Sequence, residues 1–129
     1  MKCAPLLRLV VICILAFIVN ASFAIGAPQK IFIFFFSGDC HYCHEMADSL
    51  VTIQQKHGVR IIANSLDGKK IAQFPNALFN DDISRKFKIS ATPAVVAVDM
   101  QDKTFEVVSL GLEAQALLEA KILAVLNDA

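Results

Sequence analysis

The sequence carries no surplus of charge: twelve Lys and Arg residues balance twelve Asp and Glu over 129 positions. Phosphate backbones are bound through a basic excess that releases counterions, so nucleic acid is excluded as a partner. Cysteine is scarce as well. Of the four cysteines, Cys3 and Cys13 lie in an N-terminal apolar segment, and only Cys40 and Cys43 lie beyond it. A disulfide-stapled domain spreads its cysteines to close loops. One close pair closes no useful loop, so this pair is there for its chemistry. No apolar run reaches the ~20 residues that a membrane span needs. There is no Trp, and no internal repeat, linker or low-complexity tract. Such a length allows one small domain.

The N-terminal segment reads as an export signal. Lys2 and Arg8 form a positive start, Leu9 to Val19 an apolar stretch of about eleven residues, and Ser22-Phe23-Ala24 a small-x-small cleavage site. Cleavage after Ala24 leaves 129 − 24 = 105 residues (25–129) with ten Lys/Arg and twelve Asp/Glu. Export would place this part in the periplasm, where disulfides are made and corrected.

The run Ile31 to Phe36 is apolar throughout, as in a strand buried on both faces. After a polar break, Ser37-Gly38-Asp39, comes Cys40-His41-Tyr42-Cys43, and then apolar residues at helical spacing: Met46, Ala47, Leu50, Val51, Ile53. Gly58 is a natural stop, and Val59 to Ala63 reads as a second strand, parallel to the first. Residues 65–82 show no clean period and read as a surface excursion. Asp81 or Asp82 can cap a short helix from Ile83 to Phe87. Thr92-Pro93 precedes a strand from Ala94 to Val98, which a turn joins to a hairpin partner from Thr104 to Leu110. Glu113 to Leu126 closes the chain as a helix, with Ala114, Leu117, Leu118, Ile122, Val125 and Leu126 on one face.

The Cys-x-x-Cys stands where a buried strand hands over to a helix. A helix N-terminus offers unpaired N–H groups and a dipole that favours negative charge. Cys40 there has its thiolate stabilised, and the thiolate is the attacking species in disulfide exchange. Cys43, one turn on, can reach Cys40 to resolve a mixed disulfide. Asp39 and His41 flank the nucleophile with opposite influence: a carboxylate disfavours the thiolate, a protonated imidazole favours it. Tyr42 is an exposed aromatic suited to packing or substrate contact.

The order β-α-β then α-β-β-α, with Cys-x-x-Cys after the first strand and Thr92-Pro93 before the third, resembles the minimal thioredoxin fold. That resemblance implies an α/β domain with a four-stranded mixed sheet flanked by helices. It also implies a cis Pro93 lying against the cysteines, and a Thr92 backbone that pairs with substrate. Two features depart from thioredoxin itself. Phe34 stands where thioredoxin has a buried carboxylate that helps deprotonate the second cysteine, and the Trp-Cys-Gly-Pro-Cys motif is missing. Tyr-Cys-His after Cys40, with Thr before Pro93, is similar to the DsbC/DsbG-type disulfide isomerases, whose separate dimerisation domain has no room here. The longer pattern FFFSGDCHYCHEMA, IIANSLDG, FPN and ISATPAVVAVD resembles the TraF/TrbB-type thioredoxin-like proteins of conjugative type IV secretion.

What this implies is an exported reductase- or isomerase-like enzyme with no cofactor and no metal. Its partners would be protein disulfide substrates, a membrane thiol–disulfide electron donor or acceptor, and secretion-system components. Three other readings use the same residues. Cys40 to His44 matches the c-type haem attachment motif, with Met46 or Met100 as axial ligand. Zinc could take Cys40, Cys43, His41 or His44, but His57, the one further His, lies about 20 Å away along the helix. A non-catalytic assembly module on the same scaffold is the third.

Overall fold

The computed structural model describes residues 30–128; the export signal assigned to 1–24 lies outside the described residues. The elements run β1 (Lys30–Phe36), α1 (His41–His57), β2 (Ile61–Ser65), α2 (Asp81–Lys86), β3 (Ala94–Asp99), β4 (Phe105–Leu110) and α3 (Gln115–Asn127). The strands form one mixed sheet in the order β2-β1-β3-β4. β1 pairs parallel to β2, from Phe32↔Ile61 to Phe36↔Ser65, and antiparallel to β3, from Lys30↔Asp99 to Phe35↔Ala94.

The apolar run in β1 follows from this central place. Phe32, Phe34 and Phe36 share one face with Met46, Leu50 and Ile53 of α1 and Leu118 and Ile122 of α3. Ile33 and Phe35 point the other way, toward Phe87, Ile89, Ala94 and Val96. Phe32, Phe34, Phe35 and Phe36 are fully buried, and each contributes about 1.5–3 kcal/mol of transfer free energy. A strand with both faces covered has no reason to alternate.

α1 buries Cys43, Met46, Ala47, Leu50 and Ile53, the stripe expected from the three- and four-residue spacing. Gly58 ends it with φ 65°, a left-handed conformation that favours glycine, and donates its N–H to the Gln54 carbonyl. Lys56 and His57, in the last turn of α1, both reach Glu119 of α3, at 2.7 and 2.6 Å. Lys30 Nζ donates to the carbonyls of Val125 and Asp128, at 2.7 and 2.6 Å. It thereby satisfies acceptors that the end of α3 leaves open.

The first helix begins at His41 with Cys40 as its N-cap, where the sequence reading places the Cys-x-x-Cys. Several other boundaries differ from that reading. β2 lies two residues later than the Val59–Ala63 run, because Val59 packs into the core from the preceding loop. Asn80, rather than Asp81 or Asp82, caps α2, accepting the Asp82 N–H at 2.9 Å. Residues 65–82 are more than a surface excursion. Ile71 is buried, and Leu78 bridges to Asn64, with Ser65 N–H to Leu78 O at 2.7 Å and Leu78 N–H to Ala63 O at 2.9 Å. The returning chain thus covers the open edge of β2. Leu117, placed on the buried face of the last helix, is 52% exposed, while its neighbour Leu118 is fully buried. α3 starts at Gln115 rather than Glu113 and turns Leu118 and Ile122, not Leu117, into the core.

Candidate redox site

β1 ends at Phe36, and residues 37–39 turn the chain into α1. The Ser37 carbonyl accepts the Cys40 N–H at 3.1 Å. Cys40 has extended backbone geometry, φ −82° and ψ 111°, and caps the helix with its sulfur: Sγ accepts the Cys43 N–H at 3.2 Å. The Cys40 carbonyl accepts from Cys43 and His44. The sulfur thus sits where the helix presents unpaired donors and the positive end of its dipole. Cys40 and Cys43 form a disulfide with Cα atoms 5.2 Å apart. Cys43 is fully buried, whereas Cys40 is only partly so. The two sulfurs are therefore unequal in access, which suits an attacking and a resolving thiol.

The Thr92–Pro93 peptide bond is cis. The register that pairs Phe35 with Ala94 brings it to the end of β1 from which the Cys40 turn departs. Pro93 is buried and Thr92 half-buried; the Pro93 carbonyl accepts the Gly111 N–H at 2.7 Å, tying this bend to the end of β4. Tyr42 is 59% exposed beside the cysteines, its ring 5.8 Å from that of His41.

Both flanking side chains have partners elsewhere. His41 Nε2 lies 2.8 Å from Glu45, one helical turn on, and Asp39 pairs with Lys69. Lys69 belongs to the loop after β2, which clamps the turn before Cys40. Leu66 N–H donates to the Phe36 carbonyl at 2.8 Å. The Gly38 N–H donates to both oxygens of Asp67, at 3.1 and 2.9 Å. Asp67 also accepts from the Ser65 hydroxyl at 2.9 Å and the Lys69 N–H at 3.0 Å. Burial works to raise the Asp67 pKa, but the Gly38 and Lys69 N–H groups, the Ser65 hydroxyl and the Lys69 ammonium outweigh it. The pKa lies below the usual carboxylate value. The Asp39 carboxylate, by hydrogen bond and by charge, holds Lys69 above the ordinary lysine value.

Neither Asp67 nor Lys69 was singled out from sequence, where both fall within the 65–82 excursion. The available signal was the parallel pairing of the first two strands, which sets the loops that follow them side by side. Phe34 is buried in the same cluster as Cys43, with its ring 5.5 Å from Phe36 and 5.6 Å from Phe74. His44, named above in the haem and zinc readings, is half-buried, with Nε2 2.8 Å from the Gly38 carbonyl oxygen. Of the methionines considered for a haem, Met46 is sealed in the core, and Met100 is exposed after β3, at the sheet end opposite the cysteines.

Fold and cysteine pair together define a domain with the thioredoxin fold and a Cys-x-x-Cys disulfide at the head of its first helix. Among solved structures, the chain is similar to a thioredoxin-family thiol:disulfide interchange protein from Chlorobium tepidum (14% identity, 78% of this chain and 81% of that one, TM-score 0.61). It is similar to the M. tuberculosis protein DsbF (16% identity, 76% and 81%, TM-score 0.59). A secreted M. tuberculosis disulfide oxidoreductase homologous to E. coli DsbE also matches (18% identity, 75% and 82%, TM-score 0.56). At these identities the likeness concerns the fold. Among curated proteins none matches. Residues 27–123 match the family described as TraF, F plasmid transfer operon protein. With most of its length matched, the chain belongs to the TraF family.

Proposed function

We propose that this protein is an exported thiol–disulfide oxidoreductase that uses Cys40 and Cys43 to exchange disulfides in exported proteins, and that it serves the assembly of a conjugative secretion apparatus. The observation that carries the reading is the unequal pair at the head of α1: accessible Cys40 with its sulfur on a helix N–H, and buried Cys43 behind it. The family match supports the conjugative setting. The leader at 1–24 would deliver the domain 25–129 to the periplasm.

In the reducing direction, the Cys40 thiolate attacks one sulfur of a substrate disulfide. The substrate S–S bond breaks, a Cys40–substrate disulfide forms, and one substrate thiolate leaves. The Cys43 thiolate then attacks Cys40 Sγ and expels the second substrate thiolate. The substrate gains two electrons and the protein loses two, ending as the Cys40–Cys43 disulfide; the protons of the two protein thiols pass to the substrate thiolates, directly or through solvent. An external membrane dithiol donor restores the reduced pair, and the reverse sequence donates a disulfide. Thr92 offers its main chain to the substrate, cis-Pro93 shapes that edge without an N–H of its own, and Tyr42 supplies an exposed ring for contact.

Reduction or isomerisation is preferred over oxidation because of Thr92 and the Tyr-Cys-His after Cys40. Asp39 adds less than its sequence position suggests, since Lys69 pairs with it. The test is equilibration with glutathione buffers followed by thiol trapping. A potential near about −270 mV marks a reductase, and one between about −180 and −120 mV an isomerase or oxidase. No Cys40–Cys43 disulfide at any poise would remove the redox reading.

A further inference from the structure

The loop after β2 touches the turn before the nucleophile at three successive points. Leu66 N–H holds the Phe36 carbonyl, Asp67 holds the Gly38 N–H, and Lys69 pairs with Asp39. Gly38 leaves no space between the two segments: a Cβ built there would fall on the Lys69 Cβ. The Lys69–Asp39 pair is exposed, with 57% and 77% of the two side chains open to solvent. Exposed pairs are weak by themselves, because two mobile side chains must be held in one geometry against solvent. Here the geometry is imposed from behind. Asp67 accepts the Lys69 N–H on one side and the Gly38 N–H on the other, so one carboxylate fixes the backbone next to both members of the pair.

From this arrangement we propose that residues 66–69 form a positioning clamp in which Asp67 keeps Lys69 against Asp39, so that the carboxylate adjoining Cys40 is charge-compensated and the reactivity of the Cys40 thiol is set by Lys69. The inference rests on the redox reading of Cys40 and adds two residues to it, both acting on the thiol through Asp39. A bare carboxylate next to a thiolate opposes its formation. With Lys69 in place the opposition is cancelled locally, and the helix donors at Cys40 act undiminished. Without Lys69 the thiolate faces the Asp39 charge.

The test reads Cys40 directly. Cys43 is fully buried behind Cys40 in the disulfide form, so in the reduced protein the rate of iodoacetamide alkylation across pH is expected to follow the Cys40 thiolate. Lys69→Gln is expected to slow alkylation at neutral pH about threefold, by an upward move of the thiol titration of about half a unit. Lys69→Arg retains the wild-type titration. Asp39→Asn moves it downward, and Asp39→Asn combined with Lys69→Gln returns it close to wild type. In an Asp67→Ala background, Lys69→Gln is expected to have little further effect, because Lys69 is no longer held. Should Asp67→Ala fail to fold, as seen in its circular dichroism melt, Asp67→Asn takes its place in the same comparison. An unchanged titration in Lys69→Gln overturns the clamp, as does a Lys69→Gln shift that persists in full without the Asp67 carboxylate. The redox reading is tested apart, by whether the wild-type protein forms the Cys40–Cys43 disulfide in glutathione buffer. A protein that forms it, with a titration indifferent to Lys69, loses the clamp alone; one that never forms it loses both.

Discussion

Asp67 receives the backbone N–H of Gly38 through both carboxylate oxygens, at 3.1 and 2.9 Å, across 29 residues of sequence. The two lie at the ends of adjacent parallel strands, and Gly38 is two residues from the nucleophile. The contact needs a residue without a side chain at 38, since an added Cβ would fall on the Lys69 Cβ. That atom adjoins the backbone and cannot swing away. Gly38→Ala is therefore expected to destabilise by about 1–3 kcal/mol, the usual cost of overpacking. A urea midpoint equal to wild type would contradict it.

Cys40 and Cys43 should behave differently when replaced singly. With a disulfide-bearing protein substrate, Cys43→Ser is expected to accumulate a mixed disulfide through Cys40, because nothing remains to resolve it. Cys40→Ser is expected to give only background, since its remaining thiol is buried. Non-reducing gels with mass spectrometry of the adduct separate the cases. An adduct through Cys43 in the Cys40→Ser protein would reverse the assigned roles.

Phe34 joins the sheet to the cysteine-bearing helix, packing in one cluster with Cys43, Met46 and Leu50. Phe34→Ala removes a fully buried ring and is expected to cost about 3–5 kcal/mol. That is a large fraction of the roughly 5–15 kcal/mol by which a domain is stable. Chemical denaturation measures it, and a loss below about 1 kcal/mol would mean that the core closes over the gap.

Acid should weaken the fold through its paired carboxylates. Hydrogen bonds from Lys56 and then His57 hold the Glu119 pKa below its ordinary value of 4.5. Glu113 also lies below 4.5: burial raises it, and the Lys121 and Ser109 hydrogen bonds outweigh that. A carboxyl whose folded pKa is depressed stabilises fully above its unfolded value, and this contribution is lost as pH falls through the folded one. Stability should therefore decline from about pH 4.5 downward. Glu119→Gln, already without that charge, should lose less over the same interval. Equal losses in the two proteins, read from urea midpoints at neutral and acid pH, would remove Glu119 from the account.

The sheet, its central strand and the cysteine pair at the head of a helix were all legible in the sequence. β1 announces itself by an apolar run, α1 by a 3.6-residue period that ends at Gly58, and the β3–β4 hairpin by two β-type runs about a turn. Leu117 was misassigned because an Ala- and Leu-rich helix has a weak apolar contrast, so neighbouring positions compete for the buried stripe and packing decides between them. Residues 65–82 looked like solvent-facing chain because a single bridging residue, Leu78, carries no periodic signal.

The sequence by itself determined those features whose causes lie within a turn or two of chain: the strand of aromatics, the capped helix, the two cysteines one turn apart, the glycine stop. Each depends on spacing, on backbone preference or on a cap, all of which are local. Only the tertiary structure decided which cysteine is sheltered, that Asp39 is matched by Lys69, and that Asp67 reaches Gly38. These contacts join residues 29 and 30 positions apart. They exist because the register of β1 on β2 sets two loops side by side, and that register is chosen by the packing of the whole core.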